Sequence, residues 1–254
     1  MMKLVQLEWM KLKRSNTTKI ILLIYAIVVP LVHWLLSLAA LGPIKIPDAG
    51  YEFPYSYQLV AFWASWLNLM VGVIIIVFVT NEIKFKTQRQ NAIDGLRKID
   101  LILSKFIVVV GIALLVSLYT MLVGLVSGLL TGGEYGPQDG IEHAGVYFVS
   151  TLGYFIWAFF FASLVRLPAL AIVIYIFSTI IEAIIGAVSV QEYVQFFPLR
   201  SFANLSRFPN QIFGAAAPEN NPYLMTQGES VLLALLYIGL FTAGTYWIIK
   251  RRDI

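Results

Sequence analysis

The chain has 254 residues, of which 59% are hydrophobic, and its mean hydropathy of +0.80 is far above what a water-soluble domain tolerates. An integral membrane protein is therefore predicted, so the net charge of +4 does not indicate a nucleic-acid partner. The absence of cysteine excludes a disulfide framework, a thiol nucleophile and thiolate metal sites.

The first segment, residues 1–19, is basic and is predicted to form a helix that lies in the inner membrane interface, here called the elbow helix. On a helical wheel Trp9 and Leu12 share one apolar stripe, and a tryptophan suits the depth of the lipid headgroups. Trp9, Lys11 and Arg14 are the candidate functional residues of this segment. It either anchors the first span or also contacts a cytosolic subunit, and both interpretations stay open.

Six apolar runs follow, and each is long enough to cross a hydrocarbon core of about 30 Å as a helix. The runs are Ile20–Leu41, Tyr57–Thr80, Phe106–Leu130, Val146–Val165, Ala169–Val190 and Ser230–Ile249. The predicted fold class is an all-α membrane protein with six transmembrane helices, forming a single membrane domain over residues 1–254.

The segments between the runs alternate in charge. Fifteen of the eighteen Lys and Arg residues fall in segments 1–19, 81–105, 166–168 and 250–252, which six spans would place on one side of the membrane. The opposite side has only three basic residues, namely Lys45, Arg200 and Arg207. Short loops rich in Lys and Arg stay in the cytoplasm, so both termini are predicted to be cytoplasmic.

The cytoplasmic loop 81–105 is polar and is predicted to contain a helix. Helical spacing places Phe85, Ala92 and Leu96 on one apolar stripe, and Gly95 is expected to end or bend the helix. Charged residues surround this stripe: Glu82, Arg89, Asp94 and Arg97. An apolar ridge with a charged rim is well suited to dock into a groove on a cytosolic protein.

The outer loop 191–229 is too short for an independent core and contains four prolines. Its aromatic and apolar residues predict short helices on the outer membrane face, either as a cap packed on the spans or as a substrate gate. The motif Gly124-x-x-x-Gly128 is a plausible close-contact face and a weak indication of dimerisation.

Three polar residues inside the spans are candidate functional residues: His33, Asn68 and Glu182. Glu182 is an ionisable group in the fifth run, where a charge costs at least about 2.5 kcal/mol, so it is expected to face a protein interior or a wet cavity. It is either a substrate-facing acid or proton acceptor, or a hydrogen-bonded glutamate that holds its span to a neighbour. For His33 and Asn68 a packing hydrogen bond is the favoured interpretation, and no metal-ligand spacing is present.

The loop residues also carry a resemblance. The pattern Glu82…Lys86-Thr87-x-Arg89-Gln90-Asn91-x-x-Asp94-Gly95…Ser104-Lys105 resembles the first cytoplasmic loop of the ABC-2 type exporter permeases. Residues 8–15 and 250–253 resemble the two ends of members of that family, as does the six-span layout. Where family members often carry Pro-x-Ser-Arg, this chain has residues 95–98, Gly-Leu-Arg-Lys. The resemblance implies these ATPase-coupling residues: Glu82, Phe85, Thr87, Arg89, Asn91, Asp94 and Gly95.

The resemblance implies a permease subunit of an exporter in the bacterial cytoplasmic membrane. The sequence has no G-x-x-x-x-G-K-[ST] phosphate loop, so ATP and Mg are expected on a separate ATP-binding subunit and no cofactor on this chain. The helix over 81–95 would be the coupling helix that docks on that subunit. A second permease chain, identical or different, would complete the pathway, and the substrate would be lipid-like or a peptide.

Other classes of protein fit the sequence less well. An intramembrane enzyme would need a buried nucleophile with a base, paired carboxylates or a histidine-rich metal set, and Glu182 is the one acid that falls within a predicted span. A membrane scaffold or immunity protein would keep the topology without a reason for a docking helix over 81–95. An ion-coupled carrier is expected to show paired inverted repeats, which the sequence lacks.

Overall fold

The computed structural model describes residues 2–38, 46–84, 98–165, 167–212 and 225–251. Within these ranges every regular element is a helix. The α-helices are α1 Met2–Arg14, α2 Asn16–Leu38, α3 Tyr55–Lys84, α4 Lys98–Thr131, α5 Glu142–Leu164, α6 Pro168–Val188, α7 Gln191–Val194, α8 Pro198–Ala203 and α9 Gln227–Arg251. Two 3-10 turns cover Asp48–Tyr51 and Asn204–Ser206.

The six predicted spans are confirmed as helices long and apolar enough to cross a membrane: α2, α3, α4, α5, α6 and α9. The largest difference in a boundary concerns α4, which begins at Lys98 rather than at the predicted Phe106. Ser104 and Lys105 are buried in this extension. One side of these first turns therefore packs on protein, while Ile99 and Leu103 on the other side are exposed.

The helices α3 and α5 form the centre of the bundle. In the most apolar stretch of α3 and α5, 50% and 56% of the residues are buried. The corresponding share is 17% in each of α2, α6 and α9. Bulky apolar side chains of α3 and α5, such as Ile75 and Phe155, have no exposed surface. The peripheral helices instead expose apolar faces, as α2 does at Ile20, Ile27 and Leu31. Faces of this kind suit lipid acyl chains.

The two glycines of the Gly124-x-x-x-Gly128 motif contact the first turn of α3 and the segment before it. A Cβ atom at Gly124 would lie 3.1 Å from the Cα atom of Tyr57, and one at Gly128 would lie 2.5 Å from the ring of Phe53. The predicted close-contact face is therefore confirmed, and it joins two helices of the same chain. Its use inside the chain removes it as an indication of dimerisation.

The outer loop forms short helices, as predicted, in its described part. The helix α8 presses Phe202 against α5 at Gly153, and the Ser150 hydroxyl donates a hydrogen bond to the Phe202 carbonyl over 2.8 Å. Phe202 is fully buried. Of the two interpretations, these contacts support a cap packed on its own spans.

The elbow segment is helical as α1, but its buried side differs from the predicted stripe. Glu8 and Leu12 are buried, with 2% and 4% of their surface exposed, while Trp9 is 44% exposed. The inward face is set by an ion pair of Glu8 with α4, so a carboxylate and not the tryptophan faces the bundle. Exposure of Trp9 is compatible with the predicted position at headgroup depth, which stays a prediction.

Candidate functional site

A buried ion pair joins α1 to the first turns of α4. The Lys105 ammonium lies 3.5 Å from one carboxylate oxygen of Glu8, and only 3% of either side chain is exposed. The same ammonium lies 4.8 Å from the centre of the Phe78 ring on α3. Lys11 contacts the other oxygen of Glu8 at 2.9 Å from a side chain that is 40% exposed. Glu8 thus connects α1 to α4, and Lys105 also contacts α3, at the end of the bundle next to loop 85–97.

The residues predicted to couple to an ATPase lie almost entirely outside the described residues. Glu82 falls within the last turn of α3, and the structure describes its backbone only. The others, Phe85, Thr87, Arg89, Asn91, Asp94 and Gly95, lie outside the described residues. Their role stays a prediction. For the elbow residues, Lys11 pairs with Glu8, Arg14 is the last residue of α1, and Trp9 faces outwards.

A cluster of hydroxyl and amide groups lies at the centre of the membrane-spanning bundle. The Tyr25 hydroxyl lies 2.7 Å from that of Thr120 and 2.9 Å from that of Tyr147. Tyr147 donates to the side-chain oxygen of Asn68 over 3.3 Å, and the Asn68 amide donates to Thr151 over 3.2 Å. These bonds connect α2, α3, α4 and α5, so the expected packing role of Asn68 agrees with its contacts.

Replacing Asn68 with valine should lower the stability of the chain by about 1–3 kcal/mol, because the Thr151 and Tyr147 hydroxyls would lose a partner where no water replaces it. Thermal unfolding of the purified chain in detergent measures the change. Ser65→Ala is the matched control, because the Ser65 hydroxyl only donates to the Phe62 carbonyl of its own helix. Equal midpoints for the two variants would contradict a stabilising role for the cluster.

His33 contacts α4 and the 3-10 turn before α3. Its Nε2 atom lies 2.6 Å from the Ser127 hydroxyl, and its ring packs edge-on against Tyr51 with centroids 5.1 Å apart. Tyr51 lies outside the spans, where burial and, to a smaller extent, Asp48 raise its pKa to about 12. Among the described residues, no group of three or more His, Asp or Glu side chains could hold a metal ion.

Glu182 lies six residues before the end of α6, about 9 Å along the helix from that end. Its carboxylate accepts hydrogen bonds from the backbone N–H groups of Leu199 and Arg200, over 3.2 Å and 2.5 Å. It also lines two cavities of about 390 and 520 Å³ between α5, α6 and α8. These hydrogen bonds agree with the interpretation of a glutamate that holds its span to a neighbour, and a substrate or proton role for Glu182 stays a prediction.

Arg207 fixes the outer end of α9 outside the membrane. It donates to the Met225 carbonyl over 3.2 Å and to the Ser230 hydroxyl over 3.4 Å. Burial and, secondarily, the charge of Arg200 lower the pKa of Arg207. Arg200 and Arg207 are two of the three basic residues in the predicted outer segments, which together contain eight acids.

Sequence reasoning missed Glu8, Lys105, Tyr25 and Tyr147 as residues with specific contacts. Glu8 and Lys105 were visible only as parts of a family pattern, and they lie 97 positions apart. The tyrosines could have been found from their positions, since Tyr25 lies within an apolar run. A hydroxyl at that depth needs a partner inside the bundle.

Comparison with known families decides the classification. The model of a family described as "ABC-2 family transporter protein" matches residues 4–189, nearly three quarters of the chain. The chain belongs to the ABC-2 transporter family. The matched region of this ABC-2 permease runs from α1 to the end of α6 and includes loop 85–97, so the resemblance seen in the sequence is confirmed. No significant match to a curated protein is found.

Proposed function

We propose that this ABC-2 permease is the membrane subunit of an exporter in the bacterial cytoplasmic membrane and is driven by a separate ATP-binding subunit. Family membership supports the permease role. The charge distribution supports an orientation with α1, loop 85–97 and residues 250–252 in the cytoplasm. ATP and Mg would be bound by the partner, and a second permease chain would complete the pathway. The substrate would be lipid-like or a peptide.

The observation that carries the proposal is the buried Glu8–Lys105 ion pair. Lys105 lies in the second turn of α4, just after the loop that would dock on the ATP-binding subunit. A displacement of that loop would move the start of α4, and Glu8 would move α1 with it. This coupled movement of α1 and α4 shifts the bundle between two states only if the partner contacts the loop differently in each state. The ion pair makes α1 and α4 one unit in that movement.

The test is copurification of the tagged chain with its ATP-binding subunit from the native membrane. Glu82→Ala combined with Arg89→Ala should reduce the amount of ATP-binding subunit retained by about tenfold, because two rim contacts of the docking helix would be lost. Membrane insertion should stay unchanged. If two differently tagged copies of the chain are expressed in one cell, the second tag in the eluate of the first shows that two identical permease chains associate.

The matched control is Glu134→Ala combined with Lys45→Ala, which removes one acid and one base from the opposite side of the membrane. This variant should retain the ATP-binding subunit as the unmodified chain does. Equal retention by both double variants would contradict docking at 81–95. A chain that purifies alone after gentle crosslinking would contradict the ATP-driven permease itself.

A further inference from the structure

Two cavities adjoin between α5, α6 and α8, and Glu182 and Phe197 line both. The first, of about 390 Å³, has a polar wall that includes Tyr154, Thr179 and Arg200. The second, of about 520 Å³, is almost wholly apolar and is lined by Trp157, Phe161, Phe177 and Ile181, among others. A polar and an apolar compartment side by side have the shape of a site for an amphiphile.

The polar compartment presents one acid and one base that do not pair with each other. Within the described ranges neither Glu182 nor Arg200 forms an ion pair. The carboxylate accepts two backbone N–H groups, and the Arg200 side chain lies beyond ion-pair distance from it. Glu182 and Arg200 line the same cavity as Tyr154. A ligand with one ammonium and one anionic group would complement this pair of charges.

The apolar compartment opens towards lipid. Phe177 and Ile181 on its wall are 55% and 52% exposed. Trp157 donates its indole N–H to the Ser178 hydroxyl over 2.9 Å, so its polar atom is satisfied and its ring adds apolar surface. Trp157 also packs edge-on against Phe161, with centroids 4.9 Å apart. An acyl chain is the one apolar group that the membrane supplies along this face.

We propose that these two compartments bind a membrane phospholipid with a zwitterionic headgroup, in the leaflet on the side of α7 and α8. Its ammonium pairs with Glu182, its phosphate with Arg200, and one acyl chain lies against Trp157 and Phe177. The named lining residues all belong to this chain, and none lies in loop 81–105. Lipid binding at this site and docking on an ATP-binding subunit are therefore tested separately, and either proposal can fail without the other.

A second groove provides an internal control. It has a volume of about 270 Å³ and lies between α2 and α3, lined by Val28, Val29, Val32, Trp63, Trp66 and Leu67. No charged residue lines it. An acyl chain there would have no headgroup contact that distinguishes one lipid from another. Trp66 is 72% exposed, and quenching of its fluorescence reports lipid in this second groove. Quenching of Trp157 reports lipid in the proposed site.

The experiment measures quenching of tryptophan fluorescence by brominated lipids in vesicles of equal parts phosphatidylethanolamine and phosphatidylglycerol. Two preparations differ only in which lipid carries brominated chains. The quenching of Trp157 is obtained by subtracting the fluorescence of the Trp157→Phe variant from that of the unmodified chain. The quenching of Trp66 is obtained in the same way with Trp66→Phe. Brominated phosphatidylethanolamine should occupy the Trp157 site about two- to fivefold more than brominated phosphatidylglycerol, as one exposed ion pair allows. Trp66 should show no preference.

Glu182→Gln should remove the preference at Trp157, and Arg200→Gln should weaken quenching at Trp157 by both lipids. The arginine variant keeps the test valid if Glu182→Gln fails to fold, because the exposed Arg200 side chain forms no ion pair among the described residues. Equal quenching of Trp157 by the two lipids would overturn the proposal. So would a preference that survives in both variants, or one that Trp66 shares.

Discussion

Replacing Glu8 with glutamine is expected to destabilise the chain by about 3–5 kcal/mol, the usual cost of removing one partner from a buried ion pair. Lys105 would keep its charge at a site where only 3% of its side chain reaches the surface, and the introduced glutamine would offer it an amide oxygen in place of a carboxylate. Thermal unfolding in detergent, followed by the loss of monodisperse protein, measures the effect. The same variant should release α1 to proteolysis.

The control removes the other partner of the same acid. Lys11 lies closer to Glu8 than Lys105 does, 2.9 Å against 3.5 Å, but its side chain is 40% exposed. Water screens an exposed pair, so Lys11→Ala should cost no more than about 0.5 kcal/mol. The longer contact is therefore expected to be the stronger one. An equal cost for Lys11→Ala and Glu8→Gln would show that burial does not set the strength of this cluster.

The double variant Glu8→Gln with Lys105→Met completes the cycle. It leaves no charge in the buried pair, and the apolar methionine can pack on the Phe78 ring that the ammonium now approaches. Its stability should recover most of what Glu8→Gln loses, because apolar replacement of a whole ion pair is often close to neutral. A double variant that is no more stable than Glu8→Gln would contradict the pairing.

The second large effect is expected at Gly124. A leucine there would meet the backbone of the first turn of α3, since even a Cβ atom would lie 3.1 Å from the Cα atom of Tyr57 and 3.4 Å from the Ser56 carbonyl. Backbone atoms cannot turn aside as a side chain can, so α3 and α4 must separate. Gly124→Leu should cost about 3 kcal/mol in thermal unfolding.

Gly111 provides the matched control in the same helix. A Cβ atom at Gly111 would meet nothing within 4 Å, so Gly111→Leu should leave the unfolding midpoint nearly unchanged. The pair of variants also separates packing within the chain from packing between chains. If Gly124→Leu lowered the fraction of dimer without changing the unfolding midpoint, the motif would lie at a dimer interface and the packing within the chain would be contradicted.

The sequence was sufficient to predict the six spans, because they depend on local composition. An apolar run such as Phe106–Leu130 has few alternatives to a transmembrane helix. The helix α4 begins eight residues before the predicted span, and Lys105 in this extension pairs with Glu8, which lies far away in the sequence. Partners set by tertiary contact leave no local signal.

The same limit applies to the polar residues inside the membrane. The sequence predicted that Asn68 would form a packing hydrogen bond, but Tyr147 and Thr151 could not be named as its partners. Glu182 was singled out because a lone acid in an apolar run is conspicuous, and its functional role stays a prediction. Its two backbone donors depend on how α8 folds back on the bundle, which no periodicity encodes.

The separation of Glu8 from Lys105 imposes an order on biosynthesis. These residues are 97 positions apart, so when Glu8 leaves the ribosome its partner has not yet been made. Two spans, α2 and α3, are synthesised before Lys105. Until Lys105 has been made, Glu8 cannot form this ion pair. Docking of α1 on α4 therefore follows the synthesis of α2 and α3.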